Sequence, residues 1–237
     1  MSAIVIPCYN EFARMPVDSF VDHLRLNPHH FFCFVNDGSS DGTDNLLESI
    51  KAKCSNAEVL NLSLNVGKAE AVRMGAKLAI EKSGADFIGY MDADLATPLS
   101  FISVLENEMQ KDPSIDLIFG SRQFANKDAI DRKAFRHYTG RFVSGMINRA
   151  LGKKFGDTQC GAKLMKSRIA KEVFHQPFQS SWLFDVEIIK RLLIRDNENI
   201  KEIPVTQWKD VGNSKVSKWY FFKMFGELRK IKRMKSK

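Results

Sequence analysis

The sequence predicts an α/β protein whose central sheet is mostly parallel and covered by helices on both faces. Three observations predict it. Short apolar runs alternate with helical patterns through the first half of the chain, their spacing is that of strand–helix–strand units, and a polar or glycine-rich turn follows each run at the same end. With 237 residues, 44% hydrophobic and 27% charged, the chain is long enough for one domain, at most two, and too apolar for wholesale disorder. No stretch approaches the roughly 18 uninterrupted apolar residues of a bilayer-spanning helix, and residues 1–10 lack the regions of a secretory signal.

Taken in order, the strand candidates are residues 3–6, 31–36, 58–62, 87–91 and 116–119, each a β-branched, aromatic or otherwise apolar run bounded by Gly, Asn, Asp or Pro. Between them lie helical patterns over 41–53, opened by Asp41 as an acidic N-cap, 68–82 and 98–110. The second half is less regular. It reads as a helix from about 136 to 151, a turn and short strand within 157–165, helices over 167–174 and 183–194, a strand over 202–206, and a last helix from 216 to about 235. In such sheets ligands bind at the carboxyl ends of the strands. The polar clusters 7–11, 36–42, 65–68, 92–94 and 120–122 follow the five strands in turn and outline one continuous site.

The net charge of +8 is localised. After residue 212 lie nine of the 36 Lys and Arg residues but only Glu227 of the 28 acidic ones, so residues 1–212 form a neutral domain and 213–237 a basic C-terminal appendage. Within it Phe221, Met224, Phe225, Leu228 and Ile231 recur at helical spacing with cations flanking them. That pattern is the one expected of a helix lying in an anionic membrane interface; the alternative is a stripe packed on the domain. A neutral body without a nucleic-acid motif argues against nucleic-acid binding. The four cysteines lack CxxC spacing and read as reduced core thiols. His23, His29, His30, His137 and His175 show no HExxH or paired spacing and read as surface or helix-side residues.

The sharpest motif is Tyr90-Met91-Asp92-Ala93-Asp94, two carboxylates one residue apart just past a buried strand. Such a pair repels itself unless a divalent cation or a set of donors neutralises it, and hard oxygen ligands suit Mg2+ or Mn2+. The bland reading makes Asp92 a turn cap and Asp94 a solvated residue. Asp37, in a glycine turn, either braces that turn or accepts a hydrogen bond from a nucleobase or ribose. Lys68, opening a helix after Asn65-Val66-Gly67, could meet a phosphate together with the helix amides. Neither GxxxxGK[ST] nor GxGxxG is present.

The series IVIPCYNE, VNDGSSDGT, NVGKAEAVRMGA, YMDADLATP, FGSR, DTQCGAKL, WLFDVEI and IPVTQWKDVGNSK, in this order, resembles family 2 glycosyltransferases of the GT-A fold, and within them the polyprenyl (dolichyl) phosphate mannose and glucose synthases. The resemblance implies a nucleotide-sugar donor lying across the strand ends. Pro7, Tyr9 and Glu11 fall on positions that contact the nucleotide, Asp37 on the nucleoside-binding aspartate, and Lys68 in a loop near the donor. Asp92 and Asp94 match the DxD motif that holds the metal, Mg2+ or Mn2+, and the donor diphosphate. Two departures stand out: Ala96 replaces a Gln that can help ligate metal, and Lys209 stands where the synthases often carry Arg.

Two acceptors are compatible with these residues. A saccharide hydroxyl needs a general base, for which Asp185 is the candidate; a phosphate monoester is already ionised near neutral pH, its second pKa being about 6, and needs cations to hold it. Arg122, Arg136, Lys209, Ser214 and Lys215 fall on family-matching places for that task. The expectation is therefore an inverting, metal-dependent hexosyltransferase moving a sugar from UDP-sugar or GDP-mannose to polyprenyl phosphate, with Asp94, Arg122 and Asp185 as catalytic candidates. It would work in the cytoplasm, peripherally on the inner face of a membrane through the C-terminal helix, with room for a membrane partner subunit. The rivals are transfer to a saccharide hydroxyl and a non-catalytic nucleotide-sugar binding module.

Overall fold

The computed structural model describes residues 1–122, 134–208 and 219–235, with side chains described throughout except at 134–142 and 219–222. In chain order the elements are β1 (Ser2–Cys8), α1 (Val17–Leu26), β2 (His30–Asp37), α2 (Thr43–Lys53), β3 (Ala57–Leu62), α3 (Lys68–Ser83), β4 (Phe87–Met91), α4 (Phe101–Lys111) and β5 (Leu117–Ser121). There follow α5 (Ala134–Leu151), β6 (Ala162–Lys166), α6 (Ser167–Val173), α7 (Phe184–Leu193), β7 (Ile200–Pro204) and α8 (Trp219–Arg233). Seven strands form one sheet in the order β3-β2-β1-β4-β6-β5-β7.

β1 to β4 are parallel, which is the architecture that the alternating runs predict. β1 is nearly a continuous buried stretch because helices cover both of its faces. Its alternate residues divide between two cores: Ala3 and Val5 join the layer containing α3, α6 and α7, whereas Ile4, Ile6 and Cys8 join the layer containing α1, α2 and α4. Helix α3 lies especially close to the sheet. A methyl group at Gly75 would come within 2.5 Å of both Val5 and Val35, and Ala71, Val72, Ala76 and Ala79 pack beside it. This close seat brings the start of α3, at Lys68, to the carboxyl edge of the parallel strands.

Four features depart from the sequence reading. Helix α1 is additional; its apolar positions Val17, Phe20, Val21 and Leu24 have helical spacing directly after Pro16. Strand β6 runs antiparallel to both β4 and β5, since the chain leaves β5 and enters β6 at the same edge of the sheet. Helix α2 begins at Thr43 behind Gly42, whose φ is 88°, while Asp41 braces the turn by accepting from Thr43 and Phe12. The last helix is no free appendage: Met224, Leu228 and Ile231 are buried in the same core as β1. All four cysteines are buried and free, and burial pushes the Cys33 thiol up to about 12.

Candidate active site at the carboxyl edge of the sheet

The strand order reverses at β1, with β2 and β3 on one side and β4 on the other, so a crevice opens between the carboxyl ends of β1 and β4. Of the three described non-glycine residues with positive φ, two stand at this crevice: Asn10 (53°), two residues past β1, and Leu95 (52°), directly after Asp92-Ala93-Asp94. Asn tolerates this conformation, whereas at Leu95 it costs roughly 1–2 kcal/mol, and such strain collects at functional sites.

The turns after β1 and β2 are tied together. Asn10 receives the Ser40 amide at 3.0 Å and gives its own amide to Ser39 Oγ at 3.0 Å, while the Glu11 amide reaches Thr43 Oγ1 at 2.8 Å. Tyr9 stands exposed at the mouth, whereas Glu11 is buried and chelated by the Arg14 guanidinium. Glu11 holds the Arg14 pKa above its ordinary value, with Asp94 and Asp92 adding to the effect, which places this cation in the field of the carboxylate pair. No sequence motif singled out Arg14. Asp37, almost fully buried, accepts the amides of Val66 (2.7 Å) and Gly67 (3.0 Å), one on each carboxylate oxygen. Burial raises its pKa while those two amides oppose the rise. Asp37 thus braces the loop that opens α3, and the two amides it accepts are not free to meet a phosphate.

Asp92 and Asp94 sit half-buried on the turn after β4. The Lys68 ammonium meets Asp92 Oδ1 at 2.5 Å. Burial lowers the Lys68 pKa, but Asp92, Asp185 and Asp94 outweigh it and hold the group above its ordinary value. On its other side Asp92 rests against Gly161, where an added methyl group would lie 2.0 Å from Oδ2. Asp94 Oδ1 accepts the Ala96 amide at 3.0 Å, closing the tight turn. Two half-buried carboxylates one residue apart are a donor set that fits Mg2+ or Mn2+.

Beneath them lies a buried polar cluster that the sequence did not announce. Asp185, at the start of α7, receives the Tyr90 hydroxyl and, at 2.6 Å, the ammonium of Lys163 on β6. Lys163 is enclosed: its ammonium also donates to the Cys160 carbonyl at 2.6 Å, and the rings of Tyr90 and Phe119 each lie 5.5 Å from the nitrogen. Burial, then Asp185, raises the Tyr90 pKa well above normal, so the phenol stays protonated. Asp185 therefore has one oxygen occupied by two donors, an arrangement that holds a carboxylate in place more readily than it frees one to accept a proton.

Arg122 lies at the end of β5, and its guanidinium forms a bidentate pair with Asp157, Nε to Oδ2 at 2.6 Å and Nη2 to Oδ1 at 2.8 Å. Asp157 is in turn fixed by β7: Glu202 accepts the Gly156 and Asp157 amides at 2.7 Å each. Partial burial lowers the Arg122 pKa, but Asp157 overcomes this and raises it. Arg122, expected from the sequence to hold an acceptor phosphate, thus has two of its guanidinium nitrogens, Nε and Nη2, on Asp157. Arg136 lies on α5 among side chains outside the described residues, and Lys209, Ser214 and Lys215 lie outside the described residues altogether.

The basic C-terminal helix also differs from the expectation of a membrane-facing apolar stripe. Glu227, the one acid after residue 212, is buried and accepts from Ser180 Oγ at 2.5 Å, Ser181 Oγ at 3.1 Å and the Leu183 amide at 3.1 Å, so it ties α8 to the turn that starts α7. Met224, Leu228 and Ile231 of the stripe therefore face the protein, while Phe225 points outward with Lys223, Arg229, Lys230, Lys232 and Arg233. Among the described residues no helix is long and apolar enough to cross a membrane. A cavity of about 920 Å3 lies near this helix, between α6, α7 and α8, lined in part by Glu172, Arg195, Lys230 and Arg233 and by none of the crevice residues.

Among the described residues, side chains able to hold a divalent cation, the cofactor expected from the sequence, include two groups. One is the Asp92 and Asp94 pair. The other is His29, His30 and Glu106, whose ligand atoms lie within 4.8 Å of one another. That cluster corrects the reading of His30 as a surface residue, because its ring is wholly buried.

A parallel sheet with one antiparallel strand inserted, a crevice at the β1/β4 reversal and a carboxylate pair on its lip define a nucleotide-sugar transferase of the GT-A fold. Residues 3–174 match Glycosyl transferase family 2, and the chain belongs to that family of glycosyltransferases. It is 30% identical over 227 residues to a dolichyl-phosphate beta-glucosyltransferase of Trichomonas vaginalis, covering 91% of this chain and 66% of that protein. With the human dolichyl-phosphate beta-glucosyltransferase it shares 30% identity over 240 residues, 95% of this chain and 72% of the relative. The chain thus spans about two thirds to three quarters of the length of these relatives. Among solved structures, glucosyl-3-phosphoglycerate synthase from Mycobacterium tuberculosis, bound to Mn2+, UDP-glucose and phosphoglyceric acid, superposes with a TM-score of 0.70 at 13% identity, over 100% of this chain and 81% of that one.

Proposed function

We propose that this glycosyltransferase moves a hexose, with inversion, from a nucleotide-diphospho-sugar, UDP-sugar or GDP-mannose, to a polyprenyl phosphate at a membrane surface. The observation that carries the reading is the Asp92 and Asp94 pair at the β1/β4 crevice, in a chain related along nearly its whole length to dolichyl-phosphate glucosyltransferases; glucose is accordingly the first sugar to test.

In this reading the nucleotide lies over the turns after β1 and β2, with the exposed Tyr9 ring against the base and Pro7, Glu11 and Asp37 shaping the floor. Asp92 and Asp94 would hold Mg2+ or Mn2+, which would supply positive charge for the diphosphate leaving group. Lys68, already in contact with Asp92, adds a cation beside that charge. A phosphate acceptor arrives ionised, so no residue need remove a proton. The engagement of Asp185 by Tyr90 and Lys163 supports this choice over a saccharide hydroxyl. The acceptor phosphate would be held by Arg136, Lys209, Ser214 and Lys215, with Arg122 positioned by Asp157 at the edge of that site. The outward cations of α8 suit a peripheral place on the anionic, cytoplasmic face of a membrane, each worth roughly 1 kcal/mol near the surface.

The test is an organic-phase extraction assay with Mg2+ or Mn2+, a panel of labelled UDP- and GDP-sugars, and polyprenyl phosphate present or omitted. Label should enter the organic phase only with the lipid phosphate and should be lost in Asp94→Asn. Metal-dependent sugar release that polyprenyl phosphate leaves unchanged would overturn the lipid acceptor.

A further inference from the structure

A convergent group of polar side chains also lies at the opposite edge of the sheet from the crevice. His30 is the first residue of β2, Ser2 the first of β1 and its register partner, and Glu106 reaches them from α4. β1 spans Ser2–Cys8, and at about 3.3 Å per residue this group lies roughly 20 Å from the crevice. His30 Nε2 is 3.0 Å and His29 Nε2 4.0 Å from Glu106 Oε2. His30 and Glu106 are buried, while the His29 ring is more than half exposed and opens the group to solvent.

We propose that His29, His30 and Glu106 form a binding site for a transition-metal cation of the Zn2+ class, separate from the donor site. Two imidazoles and one carboxylate are the ligand types preferred by zinc and its neighbours, whereas Mg2+ prefers oxygen ligands throughout. The size is right. Ligand bonds of about 2.0–2.1 Å in a tetrahedron put ligand atoms about 3.3 Å apart, close to the 3.0 and 4.0 Å already present, and the exposed His29 ring can supply the small closure required. A water would complete the fourth position.

The surroundings argue for ligation more strongly than the three atoms alone. His30 Nδ1 is 2.9 Å from His23 Nε2, and Glu106 Oε1 receives the Ser2 hydroxyl, so each buried ligand has its second polar atom engaged and one atom directed at the shared point. If His30 carries its proton on Nδ1 and donates it to His23, Nε2 presents a lone pair to the metal; this is the supporting contact that fixes the tautomer of a metal-bound imidazole. A cation here would join the starts of β1 and β2 to α4. The four cysteines, all buried, do not compete for it.

The test uses the full chain without a histidine tag, stripped with chelator and titrated with Zn2+ by calorimetry, with Co2+ as a coloured substitute. One equivalent should bind, with the visible bands of a four-coordinate Co2+ site and a rise in melting temperature. His29→Ala, at an exposed position that leaves the fold intact, should weaken binding by about tenfold or more. Asp94→Asn should leave it unchanged, and millimolar Mg2+ should not displace it. Absence of saturable Zn2+ binding, binding undiminished in His29→Ala, or binding lost in Asp94→Asn would each overturn the assignment.

Discussion

Replacing Gly161 by Ala should disable the enzyme while leaving it folded. The added methyl group would lie 2.0 Å from Asp92 Oδ2, 2.4 Å from Cγ and 2.8 Å from Oδ1. Comfortable contact begins near 3.5 Å, so the carboxylate must retreat by about 1.5 Å. It, and not the backbone, gives way, because Gly161 adjoins Ala162, which is locked against Met91 in the β4–β6 ladder, whereas Asp92 can turn about its side-chain torsions. An off-rotamer side chain costs about 0.5–1.5 kcal/mol, a small change in melting temperature. A misplacement of about 1 Å at a reacting centre costs on the order of 100-fold, or about 2.7 kcal/mol of transition-state stabilisation. The assay is kcat/KM for donor as a function of metal concentration, run beside thermal unfolding. Gly89→Ala is the contrasting control: its methyl group would meet the Lys163 carbonyl at 2.3 Å, and the strand pair itself would have to move. Gly161→Ala with kcat/KM within about threefold of the parent would refute the reasoning, since a Cβ at that place cannot coexist with Asp92 where it stands.

Three further outcomes are expected. Lys163→Met leaves Asp185 without its buried cation and should cost about 3–5 kcal/mol in urea unfolding, with much of the loss recovered in the Lys163→Met/Asp185→Asn double variant; additive losses would show that the two do not act as a pair. Glu227→Gln should loosen α8 and flatten the acid limb of stability. Burial raises the Glu227 pKa, but the donors Ser180, Leu183, Ser181 and Trp182 prevail and lower it below 4.5, so its contribution is complete above pH 4.5 and fades as pH falls through the depressed value. Unfolding midpoints measured down this window should converge between parent and variant at the acid end. Asp157→Asn should release Arg122 from its bidentate partner and change KM for the acceptor more than for the donor; equal effects on both would argue that the pair serves the fold alone.

Much of this architecture was legible in the sequence because its cause is local. The β1, β2, β4 and β5 runs are largely apolar since both faces of these strands are covered, and the polar turns after the strands mark one edge of a parallel sheet whatever the details of packing. The Asp92 and Asp94 pair was equally readable, two charges one residue apart with no local partner. Helix α1 carried its own periodic signal, four apolar positions behind Pro16.

Tertiary structure decided the rest, where the partner is far along the chain or where one pattern serves two surroundings. Nothing local marks Asp157 as the mate of Arg122, 35 residues away, or Lys163 as the mate of Asp185, 22 away; a carboxylate looks available until folding delivers the cation. The direction of β6 was undetermined for the same reason, since a five-residue strand holding two lysines reads alike in either orientation. Histidines without motif spacing became a cluster only when β2 and α4 brought His30 and Glu106 together across 76 residues. The amphipathic stripe of α8 would bury its apolar area against lipid or against protein with similar gain. What settled its orientation was the surface left open by α5 and α7 and the buried contact of Glu227 with Ser180.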